Sequence, residues 1–116
     1  MRIEVKGRNV SVTEDLREHV EKRFRKVSKQ VSDLAFLEIE LKHERNPSNP
    51  QNQVVEATLS VKGKVLRARD TSRDFKHAVN LCEEELSRQV KRHRDMRRKR
   101  REARAASPRS GAQPAF

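Results

Sequence analysis

The chain has 116 residues, of which 39% are charged and 33% hydrophobic, and its formal net charge is +11. This length suits one domain with a modest core, and no apolar run approaches the roughly 20 residues of a membrane helix. We expect no signal peptide, and the single cysteine, Cys82, excludes an internal disulfide and fits a reducing cytoplasm. Trp and Tyr are absent, which argues against recognition of bases by aromatic stacking.

The positive charge is concentrated near the C-terminal end of the sequence. Residues 1–90 hold 18 basic and 15 acidic groups, whereas residues 91–116 hold 10 basic and 2 acidic groups. Such an imbalance favours a polyanionic partner, and nucleic acid is the commonest one in a cytoplasm. The alternative is a basic tail that only keeps the protein in solution.

The first part of the chain predicts a strand followed by a helix. Residues 2–6 alternate polar and apolar side chains, which is the spacing of a strand. Thr13 then precedes two acidic residues, as in a helix N-cap. Apolar side chains recur at steps of three and four from Leu16 to Val31, which predicts an amphipathic helix over about residues 14–30.

Three strands and a second helix are predicted next. Polar and apolar side chains alternate again at residues 35–43, 53–61 and 64–69, which predicts three strands. A loop rich in Asn and Pro covers residues 46–52, and Lys62-Gly63 suits a tight hairpin between the last two strands. The second helix is expected from about residue 72 to at least 92, because an apolar stripe runs from Phe75 to Val90. Thr71 or Ser72 is its expected cap, with Asp74 completing a capping box.

These elements predict a two-layer α+β fold in the order β-α-β-β-β-α. The four-stranded sheet would have both helices on one face, much as in a double-stranded-RNA-binding domain. The first two strands should be parallel, since a helix connects them, and the other pairs antiparallel. We expect a domain over residues 1–95 and a basic, largely disordered tail over 96–116, with residues 93–106 helical only in part.

The predicted helices carry basic side chains on the sides that face away from the core. A helical wheel places Glu18 and Glu84 on the same outer sides. Most of the basic residues lie toward the C-terminal end of each helix. This surface could match an RNA phosphate backbone. The alternative is a solvated helix face, but the repetition on both helices, followed by the basic run over residues 97–101, favours nucleic acid. The basic residues are Lys22, Arg25, Lys26 and Lys29 on the first helix, and Arg73, Arg88, Lys91 and Arg98 on or beside the second.

The sequence offers little for catalysis, metal binding or cofactor binding. The four histidines have no partner at metal-ligand spacing and are expected to be isolated at the surface, and Cys82 should be an inert core thiol. The run Glu83-Glu84-Glu85 points in three directions around a helix and is expected to be solvated. With three glycines in the chain there is no GXXG loop, and the outward strand positions lack aromatics other than Phe36, which argues against KH and RRM domains.

Two segments resemble the ribosome hibernation promoting factors, also called ribosome-associated inhibitors. Residues 7–20, GRNVSVTEDLREHV, are similar to the strand-to-helix opening of that family. Residues 74–80, DFKHAVN, and 86–90, LSRQV, are similar to its second helix, with Lys76 where an aromatic is usual. The resemblance covers about residues 1–95 and implies the same β-α-β-β-β-α fold.

The resemblance implies a non-enzymatic, cytoplasmic protein that binds the decoding region of the small ribosomal subunit between the subunits. It would block tRNA and mRNA and silence idle ribosomes in stationary or stressed cells, with no cofactor. Long members of the family carry a second domain that pairs ribosomes. The implied rRNA contacts are Lys22, Arg25, Lys26, Lys29, Arg88, Lys91 and Arg92, with possible tail contacts from Arg97, Arg98, Arg100 and Arg101.

Two other functions remain open at the level of sequence. One is a general module for double-stranded RNA or rRNA, for instance in ribosome assembly. The other is a protein-interaction module whose exposed sheet edge pairs with a strand of its partner.

Overall fold

The computed structural model describes residues 1–44 and 52–106, which form a four-stranded sheet and two helices in the predicted order. The sheet order is β1-β2-β3-β4, and both helices pack on one face of it, so the predicted two-layer α+β fold is confirmed. The elements are β1 (Arg2–Arg8), α1 (Glu14–Ser28), β2 (Phe36–His43), β3 (Gln53–Val61), β4 (Lys64–Ser72) and α2 (Phe75–Ala106).

The strand registers follow from the alternation of side chains. β1 is parallel to β2, with Val5 opposite Ile39, and Ile39 in turn lies opposite Ala57 of antiparallel β3. β4 is antiparallel to β3 and places Ala68 opposite Ala57. Apolar residues from all four strands therefore share the face that the helices cover.

The core lies between this sheet face and the apolar stripes of the helices. α1 buries Leu16, Val20, Phe24 and Val27, and Phe24 is the largest side chain with no exposed surface. α2 buries one stripe that runs from Ala78 to Val90. Both stripes are the predicted ones, so each helix turns the expected face toward the sheet.

Two glycines shape the turns. A Cβ atom at Gly7 would lie 2.0 Å from the carbonyl oxygen of Val10, so only glycine allows the chain to fold closely back after β1. Asn9 follows with φ 56°. Lys62 and Gly63 connect β3 to β4 as predicted, and Gly63 adopts φ +77°, a conformation that glycine accepts without strain.

The start of α2 differs from the prediction. β4 continues to Ser72, so the helix begins at Phe75 rather than near 72, and neither Thr71 nor Ser72 caps it. Asp74 does so instead: its carbonyl accepts from the Ala78 N–H at 3.0 Å, and its carboxylate accepts from the Lys76 N–H at 3.3 Å.

The end of α2 also differs, because the helix continues well beyond its buried stripe. It is unbroken to Ala106, eleven residues into the segment 96–116 that was expected to be largely disordered. This part contains no Gly or Pro and is rich in Arg, Lys, Glu and Ala, which favour helix. Arg98 adds ion pairs with Asp95 and Glu102, both at 3.8 Å.

Two predicted features lie wholly or mostly outside the described residues. These are the loop over 46–52, of which the structure describes only Asn52, and the tail after residue 106. The first helix ends at Ser28, two residues earlier than predicted. Neither helix within the described ranges is both long and apolar enough to cross a membrane.

Candidate nucleic-acid interface

The two helices lie side by side and run in the same direction. Three polar contacts join them, each between residues 61 positions apart: Asp15 with Lys76, His19 with Asn80, and Arg23 with Glu84. This constant offset over more than two helical turns means that the helices are parallel. Their C-terminal halves therefore lie at the same end of the domain.

That end carries the predicted site residues. All of them are exposed, and none forms an ion pair within residues 1–44 and 52–106. Three of the first four lie in the second half of α1 and Lys29 is its C-cap residue. By the offset of 61 residues they are level with residues 83–90 of α2, next to the part that holds the other three. The set is Lys22, Arg25, Lys26 and Lys29 with Arg88, Lys91 and Arg92, and we call it the helix-face cluster.

Arg23 lies between the helices and is neutralised by acidic partners. Its Nε is 2.8 Å from Oε1 of Glu83, and its guanidinium also reaches Glu84 at 3.3 Å. Glu83 is 3% exposed and accepts a hydrogen bond from the Ser87 hydroxyl as well. The expectation that all three glutamates are solvated is therefore wrong for Glu83, which holds α1 against α2 and leaves the surrounding cations without acidic partners.

The helix dipoles support this distribution of charge. Glu14 and Asp15 occupy the first turn of α1, and Arg25 and Lys26 occupy its last turn. At the opposite end of the pair, the Lys76 ammonium lies 2.6 Å from a carboxylate oxygen of Asp15. This hydrogen bond lowers the pKa of Asp15 and raises the pKa of Lys76, so Lys76 is paired there rather than available to a phosphate.

The predicted tail contacts lie on the exposed final turns of α2. Arg97, Arg100 and Arg101 form no ion pair in the described chain, whereas Arg98 is paired with Asp95 and Glu102. The prediction missed two further arginines of this segment, Arg94 and Arg104. The signal that would have found them is the helical wheel continued past Val90, which places Arg104 on the stripe of the buried residues and Arg94 about 40° from Val90 at its edge.

The histidines are better connected than isolated surface residues. His19 Nε2 lies 2.9 Å from Oδ1 of Asn80, and His77 Nδ1 lies 3.2 Å from the Ser72 hydroxyl. The His43 ring packs on that of Phe75. His93 is half-buried, and this burial lowers the pKa of its imidazole. His43 and His77 are exposed, as predicted, whereas His19 and His93 are half-buried, which corrects the prediction for these two.

Two other titratable groups lie beneath the helices. Burial raises the pKa of the Cys82 thiol to about 12, as befits the inert core residue that was predicted. Burial and the neighbouring Glu85 carboxyl raise the pKa of Asp70 to about 6. Within the part of the chain that the structure describes, no three His, Cys, Asp or Glu residues converge as metal ligands would.

Fold and surface together define a small two-layer α+β binding domain with a cationic helix face. A family model described as Sigma 54 modulation protein / S30EA ribosomal protein matches residues 3–98. The chain belongs to that family, and it is a binding protein rather than an enzyme.

Curated relatives carry names that refer to ribosome hibernation. A ribosome hibernation promotion factor of Lactococcus lactis subsp. cremoris is 32% identical over 108 residues, covering 89% of this chain and 55% of the relative. A ribosome hibernation promoting factor of Salmonella typhimurium is 30% identical over 95 residues, covering 82% of this chain and 95% of the relative. The chain thus spans about half the length of some relatives and nearly all of others.

Solved structures share the fold. A ribosomal subunit interface protein from Coxiella burnetii aligns with a TM-score of 0.68 and 22% identity, over 82% of this chain and 99% of that one. The N-terminal domain of Protein Y from Thermus thermophilus aligns with a TM-score of 0.69 and 22% identity, over 80% and 99%.

Proposed function

We propose that the protein is a ribosome hibernation factor that binds the small ribosomal subunit at the decoding region. Bound there, the folded body would occupy the space needed by tRNA and mRNA and so inhibit translation in stationary or stressed cells. This function places the protein in the cytoplasm, where the ribosomes are. The names of the curated relatives support the association with ribosomes.

The observation that carries the proposal is the set of unpaired cations at one end of the parallel helices. Seven basic side chains on neighbouring helices offer several simultaneous contacts to rRNA phosphates, and such contacts fix the position and orientation of a bound protein. Arg23 and Lys76 are excluded from this role because acidic side chains at 2.8 and 2.6 Å already neutralise them, while Arg98 has only longer pairs of 3.8 Å with Asp95 and Glu102. Steric occlusion then requires no chemistry from the protein.

The exposed end of α2 adds a second basic region to the proposed interface. Arg97, Arg100 and Arg101 project from turns that lie beyond the buried part of the helix, so they would extend the contact with rRNA and add affinity that weakens with salt. The helix-face cluster would remain the principal determinant of binding.

Charge reversal of the helix-face cluster tests the proposal. Lys22→Glu, Arg25→Glu and Lys29→Glu together should abolish co-sedimentation with vacant ribosomes and small subunits while the circular dichroism spectrum stays unchanged, since all three side chains face solvent. In the parent protein, tRNA should compete for binding. Removal of a single phosphate-binding side chain should flatten the plot of log affinity against log salt by about 0.7–0.9.

A matched control separates a defined interface from bulk charge. Arg2, Arg8 and Arg67 lie on the sheet face away from the helices and form no ion pair in the described ranges, so their reversal to Glu changes net charge equally. This control should retain ribosome binding. Equal loss in both triple variants would contradict the proposed interface, and equal affinity for free duplex RNA would favour a general double-stranded-RNA module.

A further inference from the structure

The buried stripe of α2 changes chemistry where the helix leaves the domain. Through Leu86 and Val90 this stripe packs on the sheet. Continued along the helix at 100° per residue, this side of α2 carries arginines in place of apolar residues, spread over an arc of about 120° that includes the stripe. Five arginines on this side line one groove, and they are Arg94, Arg97, Arg100, Arg101 and Arg104.

These arginines form one wall of a groove at the end of the domain. The facing wall comes from the segment after α1, including Gln30 and Ser32, and from Lys62 of the β3–β4 hairpin. Four aliphatic side chains line its floor, and the groove encloses about 490 Å³. We call it the extension groove; its floor consists of Val31, Val61, Leu66 and Val90, with His93 beside them.

The groove is strongly cationic and retains unused hydrogen-bonding capacity. None of its arginines forms an ion pair within residues 1–44 and 52–106, because the two acids of this helical segment, Asp95 and Glu102, both pair with Arg98. The arginines of the groove are therefore available to a polyanionic ligand. Nε2 of His93 is buried and has no hydrogen-bond partner among the described residues.

We propose that the extension groove binds a short segment of single-stranded RNA. The arginine wall would bind successive phosphates, and the aliphatic floor would support the bases. This proposal goes beyond the ribosome binding proposed above, since it concerns free single-stranded RNA and a groove that contains no residue of the helix-face cluster, although Arg97, Arg100 and Arg101 belong both to the groove and to the proposed tail contacts.

The length of the arginine wall favours a strand of several nucleotides over a single nucleotide. From Arg94 to Arg104 the helix rises about 15 Å, which is more than the phosphates of one mononucleotide can span. A duplex is too broad to reach the floor of the groove, whereas a single strand exposes both its backbone and the faces of its bases. An acidic peptide would satisfy the arginines but would leave the aliphatic floor without a flat apolar partner.

Binding of labelled hexauridine to the purified 116-residue chain, followed by fluorescence anisotropy without ribosomes, tests the proposal. Arg97→Gln/Arg101→Gln should weaken binding by at least about tenfold and reduce the salt slope by about 1.4. The matched control is Arg98→Gln/Lys99→Gln, which removes the same charge from the outer side of the same turns. It should bind hexauridine like the parent protein.

Three results would overturn the proposal. They are equal losses in the two double variants, a stable double-stranded RNA hairpin binding as tightly as hexauridine, and hexaglutamate binding as tightly at the same salt concentration. Ribosome co-sedimentation in parallel separates this proposal from the proposed function. If the triple Glu variant loses ribosomes but keeps hexauridine, the two surfaces are independent; if ribosome binding is absent altogether while hexauridine binds, only the proposed function fails.

Discussion

Phe24 shows how a single residue anchors the helix that carries most of the candidate interface. It has no exposed surface and packs in the core cluster between the sheet and both helices. Phe24→Ala should lower the free energy of unfolding by about 3–5 kcal/mol, because it removes a large buried group and leaves a cavity. Urea denaturation measures this change. Leu34→Ala is the control: Leu34 is 93% exposed, so this truncation should change stability by less than about 0.5 kcal/mol.

Asp70 makes stability depend on pH in an unusual direction for a carboxyl group. Its pKa is about 6 in the folded protein against 3.8 as its ordinary value, so the folded state holds a proton that the unfolded state releases between these values. The contribution of Asp70 to stability is thus present at low pH and is lost as the pH rises from about 4 to 6.

Replacement of Asp70 by a residue that does not ionise should remove this loss of stability at higher pH. Asp70→Asn should raise the free energy of unfolding by about 1 kcal/mol at pH 7.5, a value reduced for the partial exposure of the group, and give no gain near pH 3.5. Thermal melts at the two pH values measure the difference. Asp15→Asn should show the opposite sign at pH 7.5, since Lys76 lowers the pKa of Asp15. A gain of equal size at both pH values would contradict the assignment to ionisation of Asp70.

At the scale of the element, α2 consists of two parts with different sources of stability. Residues up to Val90 are held by burial against the sheet, whereas residues beyond it depend on intrinsic helix preference and on the pairs formed by Arg98. The sequence prediction recognised the change at Val90 and, because the apolar stripe ends there, expected residues 93–106 to be helical only in part. The absence of Gly and Pro through residue 106 was the signal that it undervalued.

Deletion of residues 96–116 tests this division. The melting temperature should change little, because this deletion leaves every buried core residue in place, while the helical signal at 222 nm should fall. Affinity for ribosomes should drop in a salt-dependent manner with tRNA competition unchanged. A fall in melting temperature of more than about 4 °C would mean that the extension stabilises the domain by about 1 kcal/mol or more, contrary to this account.

At the scale of the whole molecule, the sequence predicted those features of the fold that depend on the local periodicity of apolar side chains. The alternation in the four strands and the apolar stripes of the helices determined the order, the pairing directions and the buried face. The pair between Arg23 and Glu83 could not be predicted, because it depends on the offset of 61 residues between helices. The extension groove was missed for the same reason: its walls come from three segments that only the tertiary fold brings together.

The parallel pairing of α1 and α2 also has a consequence for how the domain folds. Their contacts close a loop of 61 residues, and the parallel pairing of β1 with β2 is itself non-local. Such contacts form late in folding. The entropic cost of closing a long loop is offset only when the intervening strands are already in register. During synthesis, α1 emerges long before its partner exists. The cationic end of the helix pair is therefore among the last regions to assemble, and a nascent chain cannot present it until α2 has left the exit tunnel.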